Sequence, residues 1–159
     1  MQSTQSTLTE NMRSQAVELL NRHLAAAMDL RDQLKQAHGN VRGPTFIAVH
    51  ELFDRIAGEA ESYSNLIAER TAGLGGVLGG AVQVAGERSF LIPYLLHIAD
   101  ESEYIFAVAA SLSAFGQSAR DAIGQSETIG DADTADLFSE ISRRIDLQLW
   151  LVESRLAPK

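Results

Sequence analysis

Residues 44–71 read PTFIAVHELFDRIAGEAESYSNLIAERT, and this stretch carries the clearest periodic signal in the chain. Its apolar side chains recur at steps of 4, 3, 4, 3 and 4 residues: Val49, Phe53, Ile56, Ala60, Tyr63 and Ile67. This spacing places them on one face of an α-helix, so the segment is predicted to be an amphipathic helix with one buried stripe. Pro44 suits the first turn, where its missing N–H is not needed. Close packing would be one reason for Gly58 inside the helix.

Three further long amphipathic helices are predicted on either side of this one. A glycine-rich stretch of residues 72–99 separates the second long helix from the third, and a short helix is predicted within it near Ala81–Arg88. No strand alternation is present, so the chain is predicted to be all-α, a ferritin-like four-helix bundle with a long crossover. The fourth helix follows the turn Gly130–Asp133, with Asp133 or Thr134 as its N-cap. The predicted long helices cover about 9–38, 44–71, 100–125 and 134–156.

Composition limits the class of protein further. The chain has 159 residues, no Cys, 13 Lys+Arg and 21 Asp+Glu, which give a net charge of −8. Length predicts one domain, 9–159, preceded by a flexible polar tail, 1–8. The absence of Cys excludes a disulfide scaffold and a thiolate zinc site. No basic, apolar leader and no apolar run of about 18 residues is present, so we expect a cytoplasmic protein without a membrane span.

The glycines of the crossover match neither common phosphate-binding pattern. Leu78 stands where a dinucleotide-binding loop has its third glycine, and no Lys follows Gly80 as in a P-loop. No strand is predicted before them, although both mechanisms need one. We therefore interpret residues 73–80 as a connecting segment.

Two histidines flank the break between the first two helices, at His38 and His50. From His50 to Asn65 the second helix rises about 22 Å, so one ion cannot be held by both of its ends. Two copies packed antiparallel about a two-fold axis would bring the His end of one copy to the Asn65 and Glu69 end of the other. The alternative is that the carboxylates form a solvated stripe, and spacing alone leaves both open: Asp54, Glu61 and Glu69.

Residues 35–54, KQAHGNVRGPTFIAVHELFD, resemble the signature of the Dps family (DNA-binding proteins from starved cells, the mini-ferritins). The resemblance extends over nearly the whole chain from about residue 15. It is carried by further short segments: 68–70, 74–76, 131–136 and 149–150.

The resemblance implies a shell of twelve subunits that takes up Fe(II), oxidises it with hydrogen peroxide and stores the ferric (Fe³⁺) mineral. It also implies an oxidation site at the two-fold interface, with His38 and His50 from one subunit facing Asn65 and Glu69 from the other. His38, His50 and Glu69 are the expected catalytic ligands. Asp54 is expected nearby, where it would orient a histidine.

The chain departs from the family pattern at several positions. Asn65 stands where the family has a metal-binding Asp, so one negative charge is missing from a site for a hard cation. Gly39 replaces a usual Trp, Leu147 replaces a usual Lys, and residues 95–97 are also atypical. These departures indicate an alternative function: a shell-forming structural homologue, whether a paralogue or an engineered variant, with impaired ferroxidase activity.

An acidic group near the start of the fourth helix resembles the family's negatively charged three-fold pore: Asp131, Asp133 and Asp136. Carboxylates around a pore would draw cations inward. The same residues are also typical of a turn and helix cap, and both interpretations can hold together. DNA binding and association with the nucleoid are expected to be weak or absent, because neither terminus carries a cluster of basic residues.

Overall fold

The computed structural model describes residues 1–94, 98 and 100–156, and within these it contains five helices and no strand. Four of the helices are long, and the short one lies in the crossover between the second and third long helices. This confirms the predicted all-α, ferritin-like architecture. The predictions for Leu95, Leu96, His97 and the C-terminal residues 157–159 lie outside the described residues. The helices are α1 (Glu10–Asn40), α2 (Phe46–Gly73), α3 (Val82–Arg88), α4 (Glu101–Ile129) and α5 (Ala132–Glu153).

The apolar stripe of α2 forms the centre of the bundle. All six of its residues are buried, with Phe53 and Tyr63 among the largest side chains of the core. They share one hydrophobic core with Phe115 of α4 and Phe138 of α5, and the Tyr63 ring stacks on Phe115 with 6.3 Å between centroids. Helix α1 packs along α2, and α4 packs along α5. Burial of this stripe therefore holds the two helix pairs together.

The predicted N-cap of α5 is wrong. The side chain of Asp131, rather than Asp133 or Thr134, accepts a hydrogen bond from the Thr134 backbone N–H at 3.1 Å. The cause is Gly130, whose φ of 96° is left-handed and ends α4 at once. Only one residue remains between Gly130 and the start of α5, so the turn is shorter than predicted.

Gly58 is not explained by packing within the chain. It is exposed, and a Cβ atom built on it would have no heavy atom within 4 Å. The close packing expected at this position is therefore absent from the bundle itself.

The first residues of the chain lie against the start of the crossover. The Gln2 backbone N–H donates to the Gly75 carbonyl at 2.8 Å, and the buried Arg13 guanidinium donates to the carbonyls of Leu74 at 2.9 Å and Gln2 at 3.4 Å. Gly75 has a φ of 83°, and a Cβ there would lie 2.6 Å from the Gln2 oxygen. A side chain at position 75 would thus push the N-terminal residues away.

None of the helices in the described part of the chain combines the length and apolar character that a membrane span requires.

His23 is a fully buried, titratable residue at the centre of the bundle. Its Nδ1 donates to the Leu19 carbonyl at 2.9 Å, since a carbonyl can only accept, and its Nε2 then accepts from the Ser118 hydroxyl at 2.9 Å. The ring packs edge-on against Phe138, with 4.7 Å between centroids. Burial lowers the pKa of His23. The neutral ring is therefore the form that the fold accommodates.

We predict that acid destabilises the bundle through His23. In the unfolded chain an ordinary histidine takes up a proton below a pH of about 6.5, whereas folded His23 does so only at lower pH. Its contribution to the free energy of unfolding is therefore present at neutral pH and is lost as the pH falls below that value. Thermal unfolding of the metal-free protein between neutral pH and a pH of about 5 should show this loss. The non-titrating His23→Gln variant should show a smaller one, and equal pH dependence in both proteins would contradict the prediction.

Candidate metal centre

His38 and His50 lie face to face at the end of the α1–α2 hairpin. His38 is in the last turn of α1, His50 is near the start of α2, and residues 41–45 connect the two helices. The two imidazole rings are stacked, with 3.7 Å between centroids and 21° between planes. Both side chains are partly buried, so their outer edges reach solvent. The structure thus brings together the two histidines that the sequence predicts to act as ligands.

Each of these imidazoles is held by the backbone of the other. His38 Nδ1 donates to the His50 carbonyl at 2.8 Å, and His50 Nδ1 donates to the His38 carbonyl at 2.7 Å. Because a carbonyl oxygen only accepts, both Nδ1 atoms carry the proton in the neutral rings. Both Nε2 lone pairs are then available to a metal ion. The stacked imidazoles thus have fixed tautomers, each with its Nε2 lone pair outside the contact with the other residue's carbonyl.

Asp54 does not take the orienting role predicted for it. Its carboxylate accepts a hydrogen bond from Lys35 Nζ at 2.9 Å, and both side chains are exposed. This hydrogen bond and the charge of Lys35 lower the pKa of the Asp54 carboxyl. The prediction is wrong because the tight hairpin lets backbone carbonyls reach the imidazoles first. Asp54 lies one helical turn beyond His50, so it remains close to the pair.

Asn65 and Glu69 lie toward the other end of α2, and both are exposed. The distance along the helix, about 22 Å from His50 to Asn65, separates them from the imidazoles. Within the described residues, no group of three or more His, Cys, Asp or Glu side chains could hold one metal ion. A single chain therefore brings the two histidines together, with Asp54 beside them, but it does not bring Asn65 and Glu69 to them.

A continuous exposed stripe runs along α2 between its histidine end and the end that carries Asn65 and Glu69. Its members follow steps of 4, 3, 4, 3, 4 and 4 residues and are all exposed: Ile47, Glu51, Asp54, Gly58, Glu61, Asn65 and Glu69. We call this set the outer stripe. Gly58 lies midway between His50 and Asn65, so the centre of the outer stripe is a residue without a side chain. Beside Asn65 lies a groove of about 500 Å³ with several apolar lining residues: Leu24, Met28, Ala68, Leu78 and Ala81.

Two ion pairs connect α1 to the outer stripe. Lys35 pairs with Asp54, and Arg31 Nε lies 3.6 Å from Glu61. Exposed pairs of this kind contribute little to folding stability, about 0–1 kcal/mol. Their main effect is to offset part of the negative charge of the stripe. Sequence reasoning missed both cations, because a spacing pattern within α2 says nothing about which side chains α1 places beside it.

The three acidic residues predicted for a pore divide into two kinds. Asp131 is almost fully buried, where it caps α5 and binds Arg70 Nη2 at 2.7 Å. It therefore has the capping role that the sequence also indicated. Asp133 and Asp136 lie exposed in the first turns of α5, so they are free to face a neighbouring subunit or solvent. Arg70 fastens the end of α2, next to Glu69, to this turn.

Comparisons with known proteins agree with the architecture. The family model of the ferritin-like domain matches residues 17–157. A DNA protection during starvation protein of Agrobacterium fabrum is 35% identical over 98% of this chain and 96% of its own length. The solved structure of DpsC from Streptomyces coelicolor has a TM-score of 0.94 at 28% identity, covering 99% of this chain and 92% of that one. Dps from Microbacterium arborescens, solved in a high iron form, has a TM-score of 0.87 at 28% identity, with 94% and 97% covered.

Proposed function

Since the chain belongs to the Dps family of ferritin-like proteins, which store iron and protect against oxidation, we propose that it oxidises Fe(II) as its substrate at a site shared by two subunits. Hydrogen peroxide is the proposed oxidant, and the ferric product is stored inside a shell of twelve subunits. Two Fe(II) ions and one peroxide, with two protons, give two Fe(III) ions and two waters. The reaction consumes both reagents that would otherwise form hydroxyl radicals. The proposed location is the cytoplasm.

The observation that carries this proposal is the pair of imidazoles with free Nε2 atoms. Borderline divalent metals such as Fe(II) suit imidazole nitrogen, and they complete their coordination with carboxylate oxygen. In the described chain, the two imidazole Nε2 atoms lie at the N-terminal end of α2. Asn65 and Glu69 lie near its C-terminal end. Hydrogen bonds to backbone carbonyls already fix both imidazoles within one chain. Only the oxygen ligands therefore have to come from another subunit.

A second copy of the chain can supply those oxygens. If two α2 helices pack antiparallel through their outer stripes, the residue opposite His50 in one copy is Asn65 in the other, and Gly58 lies close to the two-fold axis. The absence of a side chain there lets the helices approach closely. The same register puts Ile47, which is 62% exposed, opposite Ala68 in the apolar groove beside Asn65. Burial of this isoleucine would favour the pairing.

Each ligand has a distinct proposed role. His38 and His50 bind as neutral imidazoles, so metal binding weakens as acid protonates them. Glu69 supplies a negative charge that favours binding of a divalent cation, and Asn65 supplies only a neutral carbonyl oxygen. Asp54 lies in the outer stripe near His50, where release from Lys35 would make it a further oxygen ligand. The acidic Asp133 and Asp136 would line the route by which cations enter the shell.

DNA binding is proposed to be weak or absent. The net charge of −8 opposes approach to a polyanion. Arg13 is the one basic residue among the first thirteen, and its guanidinium is buried against the carbonyls of Leu74 and Gln2. It is therefore not available to bind phosphate.

The second candidate function is a shell with an impaired oxidation site, and Asn65 is the observation that favours it. A neutral oxygen in place of a carboxylate lowers the affinity for Fe(II). Gly39 adds to this, because a Cβ atom there would meet nothing within 4 Å, which leaves open space beside His38. Such a protein would assemble and hold iron weakly but oxidise it slowly.

We predict that Asn65→Asp raises the initial rate of Fe(II) oxidation by peroxide, on the order of tenfold, because it restores a ligand charge. Stopped-flow absorbance on the assembled protein measures this rate. Asn11→Asp is the matched control, since it adds the same charge at an exposed position on α1 far from the histidines. His50→Ala and Glu69→Ala should each abolish the rapid initial phase of Fe(II) oxidation. Equal rates for Asn65→Asp and the parent would exclude the impaired-site alternative, and a rate unaffected by both alanine variants would contradict the proposed site.

We also predict that Gly58→Leu breaks the two-fold pairing. The glycines at positions 58 and 124 both lie within long helices, and a Cβ atom added at either would have no heavy atom within 4 Å. Within one chain the two substitutions are therefore equivalent. Light scattering after size exclusion should show smaller species for Gly58→Leu and an unchanged mass for the control Gly124→Leu. Intact assembly of Gly58→Leu would show that the outer stripes do not face each other.

A further inference from the structure

Glu101, in the first turn of α4, fastens the loop that separates the two histidines. Its carboxylate Oε1 accepts a hydrogen bond from the hydroxyl of Thr45, the last residue of the loop 41–45. The rest of the side chain lies directly against Gly43, whose φ is 145° and where an added Cβ atom would overlap the carboxylate. Glu101 therefore fits the loop closely enough to exclude any side chain at position 43.

Thr45 uses its hydroxyl for this contact instead of the role that its position favours. It is the N-cap of α2, where a threonine hydroxyl ordinarily accepts a hydrogen bond from the first turn. Here it makes no such capping bond and donates to Glu101. The start of α2 is thus fixed to α4 by a side-chain contact and is not capped by the Thr45 hydroxyl.

The fixed turn leads directly to His50. The Thr45 carbonyl accepts the Val49 backbone N–H at 3.2 Å, and the Phe46 ring lies against the His50 ring with 5.0 Å between centroids. Any shift of Thr45 therefore moves the first turn of α2. Since His50 and His38 hold each other through their carbonyls, such a shift changes the geometry of both Nε2 atoms.

We propose that Glu101, acting through Thr45, is a positioning residue for the imidazole pair. It sets the first turn of α2 against α4 so that the two Nε2 atoms are prearranged before a metal ion arrives. The carboxylate also lies near the N-terminal ends of α4 and α2, whose positive partial charges favour its negative charge. This inference rests on the proposed function, because it assigns a purpose to the geometry of those ligands.

The test is a Co²⁺ titration of the assembled, iron-free protein, followed by the visible absorption of the bound ion. Thr45→Val removes the hydroxyl at nearly constant volume, and Thr45→Ser retains it. Glu101→Ala removes the acceptor, and Glu127→Ala is the control for loss of a carboxylate elsewhere on α4. We expect Thr45→Val and Glu101→Ala each to weaken Co²⁺ binding about three- to tenfold, as loss of one ordinary hydrogen bond does. Thr45→Ser and Glu127→Ala should bind as the parent does.

The double variant Thr45→Val/Glu101→Ala separates this contact from general destabilisation. If the hydroxyl acts through the carboxylate, the double variant binds Co²⁺ no more weakly than the single Glu101→Ala variant. Hydrogen exchange of the metal-free protein should show faster exchange at residues 46–50 in Thr45→Val, with exchange in the C-terminal half of α2 unchanged. Equal Co²⁺ affinities, or additive losses in the double variant, would overturn the positioning role. Absence of Co²⁺ binding by the parent would overturn the proposed function itself, and unchanged exchange at residues 46–50 would overturn the positioning role independently of any metal.

Discussion

The rigid length of α2 is the constraint on which the rest of this structure depends. A continuous helix rises by about 1.5 Å per residue, so the ligands near its two ends cannot converge within one chain. In the proposed site, the imidazoles at its start and the oxygen ligands near its end are therefore two halves, each completed by a two-fold partner. The buried stripe anchors the helix in the bundle, while the outer stripe, with Gly58 at its centre, is exposed. One helix thus serves both the core and the proposed shared site.

The histidine half of the proposed site is largely organised within a single subunit. Reciprocal hydrogen bonds to backbone carbonyls fix both tautomers, and no charged side chain is required for this. The cost of ordering two imidazoles is therefore met during folding rather than on metal binding. The opposite half of the proposed site is less complete, because Asn65 contributes no charge and Glu69 is its one proposed carboxylate. In this account, the strength of the site depends mainly on the second half.

The sequence predicted the helices well, because their apolar residues face their own bundle and periodicity reports such burial directly. It also identified His38 and His50 as neighbours across a short break. It offered three acidic residues alike as turn or cap residues and named Asp133 or Thr134 as the N-cap, whereas the choice of Asp131 depends on where Gly130 ends α4. It predicted that Asp54 orients a histidine, whereas backbone carbonyls hold both rings. A contact with a backbone carbonyl does not depend on residue type, so a sequence pattern cannot predict it. Gly58 was noticed but interpreted within one chain, whereas its surroundings in the fold are empty. Lys35 and Glu101 depend on contacts between helices and carried no local signal.

The shared nature of the site can be tested most directly by mixing two inactive subunits. One variant carries His38→Ala and His50→Ala, and the other carries Asn65→Ala and Glu69→Ala, so neither alone can form a complete site. In shells reassembled from equal amounts, a mixed pair contains one subunit of each variant. One of its two sites then combines intact histidines with intact oxygen ligands, and the other site lacks both sets. Random pairing then gives about a quarter of all sites intact. Co²⁺ binding in the mixed shells near this fraction is the predicted result. Mixed shells that bind no more Co²⁺ than the separate variants would contradict a site built from two chains.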